Sequence, residues 1–229
     1  MKTLFFHKKS ISLLIVVVSC LLVIANVLLQ DGQYYYISSM VIVMMSWLLM
    51  YIRYEQGKPS LRRIVILAVM IALVVSSRVV FILTPSFKPM SAMIMICGIV
   101  FGKEEGFLCG SIAAFVSNFI FGQGPWTPFQ MISWGIIGYG AGYLKGNQTY
   151  MIYGYAIFSG IFFTLCMDLW SVLLYETFQW QRYFVQVAAS MPTTIIYCIA
   201  NVIFIFLLKD TCIQKFDRIK KKYRWEIVK

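Results

Sequence analysis

Apolar residues run in long blocks along this chain, broken by short polar turns, and the blocks define the predicted elements. Runs at Ile11 to Leu29, Ile37 to Ile52, Ile64 to Leu83, Met90 to Phe101, Phe107 to Phe121, Met131 to Leu144, Met151 to Tyr175 and Phe184 to Leu208 cluster near the roughly 20 residues that cross a bilayer as a helix. The pattern predicts an all-α integral membrane protein of about eight spans. The runs at Met90 to Phe101 and Met131 to Leu144 are short, so they are expected to tilt into protein surroundings or to be lengthened by flanking polar turns. Between the fifth and sixth runs, Asn118-Phe-Ile-Phe-Gly-Gln-Gly-Pro-Trp-Thr-Pro-Phe-Gln130 brings in amides, a Trp and two prolines. An irregular backbone exposed to lipid would leave amide groups unpaired, so this stretch belongs outside the bilayer or on a protein-enclosed cavity.

Composition agrees with that class. Hydrophobic residues make up 60% of the 229 and charged residues 13%, with mean hydropathy +0.78, far more apolar side chains than one soluble core of this size can bury. The charge then orients the spans. With a cytoplasmic N-terminus, Lys2, Lys8, Lys9, Arg53, Lys58, Arg62, Arg63, Lys103, Lys145 and the tail from Lys209 to Lys229 collect 17 of the 20 basic residues on the inside. Only Arg78, Lys88 and Arg182 fall elsewhere, so the positive-inside bias places both termini in the cytoplasm. The formal charge of +11 reads as topology and contact with anionic lipid, not as a nucleic-acid surface. Lys8, Lys9 and Val17-Val18-Ser19-Cys20 resemble a leader with a lipoprotein box, but the apolar run continues to Leu29, and a retained first helix is expected.

The polar turn Arg53 to Arg63 divides the chain into a two-helix segment with its linker (1–60), a six-helix core (61–208) and a basic cytoplasmic tail (209–229). The predicted outer turns are Thr84 to Pro89, Gly122 to Pro128 and Glu176 to Arg182. The inner turns, Lys103 to Gly106 and Lys145 to Thr149, are tight and charged. Polar and aromatic chemistry therefore gathers on the outer side, where a ligand would be captured.

Several chemistries drop out. His7 is the sole histidine, which leaves little for His-based metal binding or proton relays. Cys20, Cys97, Cys109, Cys166 and Cys198 sit in apolar runs and Cys212 in the tail. Without metal-ligand spacing they read as small buried residues. Gly98-Ile-Val-Phe-Gly102-Lys103-Glu104 differs from a phosphate loop in its glycine spacing and has Glu where a magnesium-binding hydroxyl should stand. Glycines 98, 102, 106 and 110 recur every fourth position, a stripe suited to close helix contact, although Lys103 to Gly106 is expected to interrupt the helix. Asn147-Gln-Thr149 matches a glycosylation acceptor but falls on the cytoplasmic side of this topology.

A family resemblance appears within the six-helix block. Arg62-Arg-Ile-Val-Ile-Leu-Ala-Val-Met-Ile-Ala72 with Arg78, then Phe87-Lys-Pro-Met-Ser-Ala92, Gly106-Phe-Leu-Cys-Gly110, Ser117-Asn118 and Phe121-Gly-Gln-Gly-Pro-Trp-Thr-Pro-Phe-Gln-Met131, resembles the substrate-binding S components of energy-coupling factor (ECF) transporters. The last string resembles the subgroup assigned to cobalamin and tetrapyrrole-sized cargo. The resemblance implies a non-enzymatic subunit of an ABC-type importer in the bacterial cytoplasmic membrane, with no cofactor or metal of its own. It implies capture of a vitamin-type solute outside and docking on a membrane T component whose two cytoplasmic ATPases hydrolyse ATP. Ala68 and Ala72 match the family's Ala-x-x-x-Ala docking motif, the alternative being an ordinary internal helix contact. The first two predicted helices lie outside the shared core.

The candidate binding residues follow. Arg78 lies beyond the midpoint of its helix, where an unpaired charge costs about 3 kcal/mol, so it should reach outward, meet a ligand carboxylate or phosphate, or pair with Asp168. Asn118, Gln123, Thr127 and Gln130 offer sparse polar contacts, and Trp126 and Trp134 flat apolar faces. Trp126 stands between Pro125 and Pro128, which restrict its backbone. Trp170 and Trp180 also fit an interfacial aromatic belt. A heme-specific version of the same machine would use Arg78 and Lys88 for propionates. An integral membrane enzyme acting on lipid could use Asp168 or Glu176 as a base, but no second carboxylate, His or Ser stands at useful spacing.

Overall fold

The computed structural model describes residues 60–222 except 147 and 175–177, together with helical positions 40, 41, 44, 45, 47, 48, 51, 52, 54 and 55. The expected first helix, His7, Cys20, most of the turn after residue 53, Asn147, Glu176 and the tail beyond Lys222 lie outside the described residues. From residue 60 onward the chain forms α1 (Leu61–Val80), α2 (Met90–Phe101), α3 (Lys103–Phe121), α4 (Thr127–Ala141) with a 3₁₀ turn (Gly142–Leu144), α5 (Thr149–Leu173) and α6 (Trp180–Lys222). No strand occurs among the described residues.

Local chemistry explains where these helices begin and end. Ser60 caps α1, its hydroxyl accepting from the Arg63 amide at 3.4 Å and so satisfying one of the donors a helix start leaves unpaired. Gly102 adopts φ +124°, a value open to glycine, and turns the chain directly from α2 into α3. The expected inner turn at Lys103 to Gly106 is therefore corrected: one glycine makes the turn. Lys103 to Gly106 form the first turn of α3, where Glu104 and Glu105 complement the positive end of the helix. The stretch from Asn118 to Gln130 is corrected in the same way. Asn118 to Phe121 end α3, Gly122 stops it at φ +102°, and Thr127 to Gln130 are already helical, with Pro128 in the first turn of α4, where its missing N–H costs nothing.

Burial accounts for the short helices. All 12 residues of α2 are buried, so this apolar helix is enclosed by protein and need not match the bilayer thickness. By contrast α1, α5 and α6 are long and apolar enough to cross a membrane, and α1 and α6 expose Val65, Val69, Leu73, Phe184, Val185 and Phe206. An apolar surface of this extent fits lipid and not water. The chain is a membrane protein. Cys97 and Cys109 are buried, and these two with Cys166, Cys198 and Cys212 are free thiols. Helix α6 runs past residue 208 to Lys222 because Cys212, Ile213 and Phe216 still pack on the core, and Lys209 donates to Thr149 Oγ1 at 3.3 Å.

Three of the four spaced glycines make close helix contacts, from two helices and not one, while Gly102 makes the turn between them. A Cβ on Gly98 or Gly106 would strike the Gly138 carbonyl, and one on Gly110 the Trp134 carbonyl, so α2, α3 and α4 meet backbone to backbone. At the end of the bundle where α1 and α3 start, Arg63 forms an ion pair with Glu105, whose side chain is 2% exposed. Glu105→Gln keeps an acceptor for Arg63 while removing the charge. Thermal unfolding of the purified variant is expected to show a Tm lower by only about 2–4 °C, the equivalent of roughly 1 kcal/mol.

Candidate functional site

The opposite end of the bundle gathers most of the residues singled out from the sequence. The last turn of α1 carries Arg78, the last turn of α3 carries Ser117, Asn118 and Phe121, and the first turns of α4 carry Thr127, Gln130 and Trp134. The α1–α2 loop adds Lys88. That loop is folded on itself: the Thr84 hydroxyl contacts the carbonyls of Phe81 and Phe87 at 2.9 and 2.8 Å, and Phe81 and Phe87 both pack on Phe204. Lys88 is thus held where the loop returns to α2.

Asn118 is the hub. Its Oδ1 accepts from Arg78 Nη1 at 3.0 Å, while its Nδ2 donates to Thr127 Oγ1 at 3.0 Å and to Gln130 Oε1 at 2.8 Å. A buried amide that spends both donors and an acceptor fixes the register of three helices at once. Arg78 Nη1 also donates to Ser117 Oγ. The guanidinium carbon lies 4.2 Å from the Phe121 ring centroid and 5.2 Å from that of Trp134, so aromatic faces and hydrogen bonds both compensate its burial. Lys88 Nζ lies 4.4 Å from the same Phe121 ring. Partial burial, with the neighbouring Arg78 charge second, pulls the Lys88 ammonium below the ordinary lysine pKa. Among the described residues no carboxylate pairs with either cation.

Beneath this pair, Trp134 stacks on Phe163 at 4.4 Å and donates its indole N–H to Ser91 Oγ at 3.2 Å. Phe163 in turn packs on Tyr197 of α6. One helical turn further along α6, Asn201 donates to the Ala156 carbonyl and Ser159 Oγ, while its buried Oδ1 has no partner among the described residues. The arrangement is a cluster of cationic and amide groups packed against a layer of aromatic rings. Such a cluster can offer charge-assisted donors and flat apolar faces to a ligand.

Other candidates sit differently. Asp168 does not pair with Arg78; its carboxylate accepts from Ser190 Oγ at 2.6 Å and Gln186 Nε2 at 3.4 Å, on the seam between α5 and α6. Tertiary packing supplies those neutral donors, so the acid needs no cation there. Gln123 donates to the Phe115 carbonyl and accepts from Thr127 Oγ1, which shapes its own loop. Trp126 is 39% exposed with its indole folded over Gly124. Trp170, which also fitted an interfacial belt, is instead buried against Phe129, whereas Trp180 is exposed. Ala68 and Ala72 are both exposed, so they make no internal helix contact of the kind that would bury them. Sequence reasoning left Phe121, Ser91, Phe163, Tyr197 and Asn201 out of the site. Phe121 follows Asn118 by three positions, and that helical spacing was the one available signal.

The family model described as "ECF-type riboflavin transporter, S component" matches residues 58–214, more than half of the chain and the whole span from the α1 cap to the far part of α6. No curated protein and no solved structure matches the chain.

Proposed function

The chain belongs to the family of ECF-type riboflavin transporter S components, and from that premise we propose that it captures a vitamin-type solute outside the cell and delivers it through a T component and two cytoplasmic ATPases. The observation that carries this reading is the Asn118 hub: three helix ends are tied around Arg78, which packs against the Phe121 and Trp134 rings. A transport subunit of this kind needs a small number of polar contacts that orient the solute, and Arg78, Asn118, Thr127 and Gln130 are candidates for them.

For the cargo, the string from Phe121 to Met131 supports cobalamin or a related corrinoid. A riboflavin-type solute is the second reading, favoured by the description of the matching family. Gentle purification of the full chain followed by mass spectrometry of retained small molecules separates these from each other and from heme. A retained corrinoid supports the first reading; a flavin replaces it with the second, and heme replaces both. Uptake by the chain alone, without a T component and ATPases, would sink the transporter reading as a whole.

The exposed Ala68 and Ala72 support a docking role. Small side chains let a partner helix approach closely. Ala68→Trp and Ala72→Trp are therefore expected to leave solute retention unchanged and to lower uptake by about tenfold or more, since each 1.4 kcal/mol or so of lost docking energy is a factor of ten. Uptake assays in cells that co-express the T component and ATPases measure this directly.

A further inference from the structure

Arg78 and Lys88 converge on one aromatic ring, with the guanidinium carbon 4.2 Å and the ammonium nitrogen 4.4 Å from the Phe121 centroid. The two like charges, one buried and one half-buried, are each within 4.4 Å of that centroid, near enough for the Arg78 charge to disfavour the Lys88 ammonium. They repel each other where screening is weak. The Phe121 face attracts both but neutralises neither. Among the described residues no acid offsets them: Glu105 is committed to Arg63 at the other end of the bundle, Asp210 to Lys209, and Asp168 to Ser190.

Donor accounting points the same way. Arg78 spends Nη1 on Ser117 and Asn118, and among the described residues no acceptor takes its Nε or Nη2 hydrogens. A guanidinium presents donors in a planar fork that matches carboxylate and phosphate oxygens. Asn118 locks one arm of the fork in place, so the rest is pre-oriented, and Lys88 adds a compact second charge from a loop braced by Thr84 and the Phe81, Phe87 and Phe204 cluster.

Resting on the solute-capture reading above, we infer that the cargo of this site carries an anionic group, a carboxylate or a phosphate, which is held jointly by the Arg78 fork and the Lys88 ammonium. The anion removes the repulsion between the two cations and satisfies the unspent guanidinium donors in one step. A wholly neutral ring solute such as riboflavin would leave the repulsion between the two cations and the unspent guanidinium donors unanswered by any described residue, so this pair of cations favours acids and phosphate esters and weighs against the riboflavin reading.

The inference is tested on the purified full chain in dodecyl maltoside micelles, whose headgroups carry no phosphate. Thermal unfolding is compared in sodium pyrophosphate and in sodium chloride of equal ionic strength. The wild-type chain is expected to gain about 2–4 °C in pyrophosphate, and Lys88→Gln to lose at least half of that gain while unfolding cooperatively in chloride. A third arm replaces pyrophosphate with micelles containing phosphatidylglycerol, which is expected to give no comparable gain. No gain in wild type, or an equal gain in Lys88→Gln, overturns the inference. A gain with phosphatidylglycerol and none with pyrophosphate overturns it in favour of a lipid headgroup. Failure of the transporter reading would show elsewhere, as absence of co-purifying T component and ATPases, a measurement that does not involve Lys88.

Discussion

Asn118→Ala is expected to lower solute retention by about 10- to 100-fold, because it removes a hydrogen bond to a charged group worth about 1.5–3 kcal/mol and frees Arg78 to move. The effect spreads beyond one contact. Thr127 and Gln130 lose the donor that joins α4 to the end of α3, so the junction of α1, α3 and α4 loosens on two sides. Asn118→Asp sharpens the test. It retains the acceptor for Arg78 but places a carboxylate against it, which satisfies the guanidinium internally and competes with any acidic cargo. Both variants should reach the membrane at wild-type levels. Retained solute per mole of purified protein is the readout, and wild-type retention by both would remove Asn118 from the site.

Gly106→Leu is expected to prevent stable folding, with a cost of about 3 kcal/mol or more. Even the first added carbon would strike the carbonyl of Gly138 and the Cα of Gly98, and these are backbone atoms of neighbouring helices that no rotamer change can move. Gly154 supplies the contrast. It lies on the exposed face of α5 with nothing within 4 Å of an added Cβ, so Gly154→Ala should gain about 0.5–1 kcal/mol from helix propensity. Size-exclusion profiles and melting curves of the two purified variants distinguish them. A monodisperse Gly106→Leu with unchanged Tm would mean that the glycine seam is not the close contact described.

The core helices were legible because lipid and protein impose different patterns on the same chain. The run at Met90 to Phe101 coincides with α2, and the fourfold glycine spacing foretold a backbone contact between helices. Turn positions were harder. Charged Lys103, Glu104 and Glu105 look like a loop in sequence, yet Gly102 alone makes the turn and the acids begin a helix. Likewise Thr127 to Gln130 look irregular beside two prolines, although proline in a first helical turn is no obstacle.

At the site, residue types declared themselves and partnerships did not. An arginine inside an apolar run demands compensation, and that much follows from the sequence, as do the membrane class and the family pattern of the six helices. Which group compensates it depends on three dimensions. Asp168 is the only acid embedded in an apolar run, but it lies on the α5–α6 seam and is satisfied by Ser190 and Gln186. The ring of Phe121 and the amide of Asn118 meet Arg78 instead. Sequence records the need to satisfy a buried charge, because desolvation cost belongs to the residue itself. Only the packing of helices far apart in the chain chooses the partner, because hydrogen bonds and ring contacts act over a few ångströms. For the same reason, the meeting of Lys88 with Arg78 on a single ring was decided by the tertiary fold.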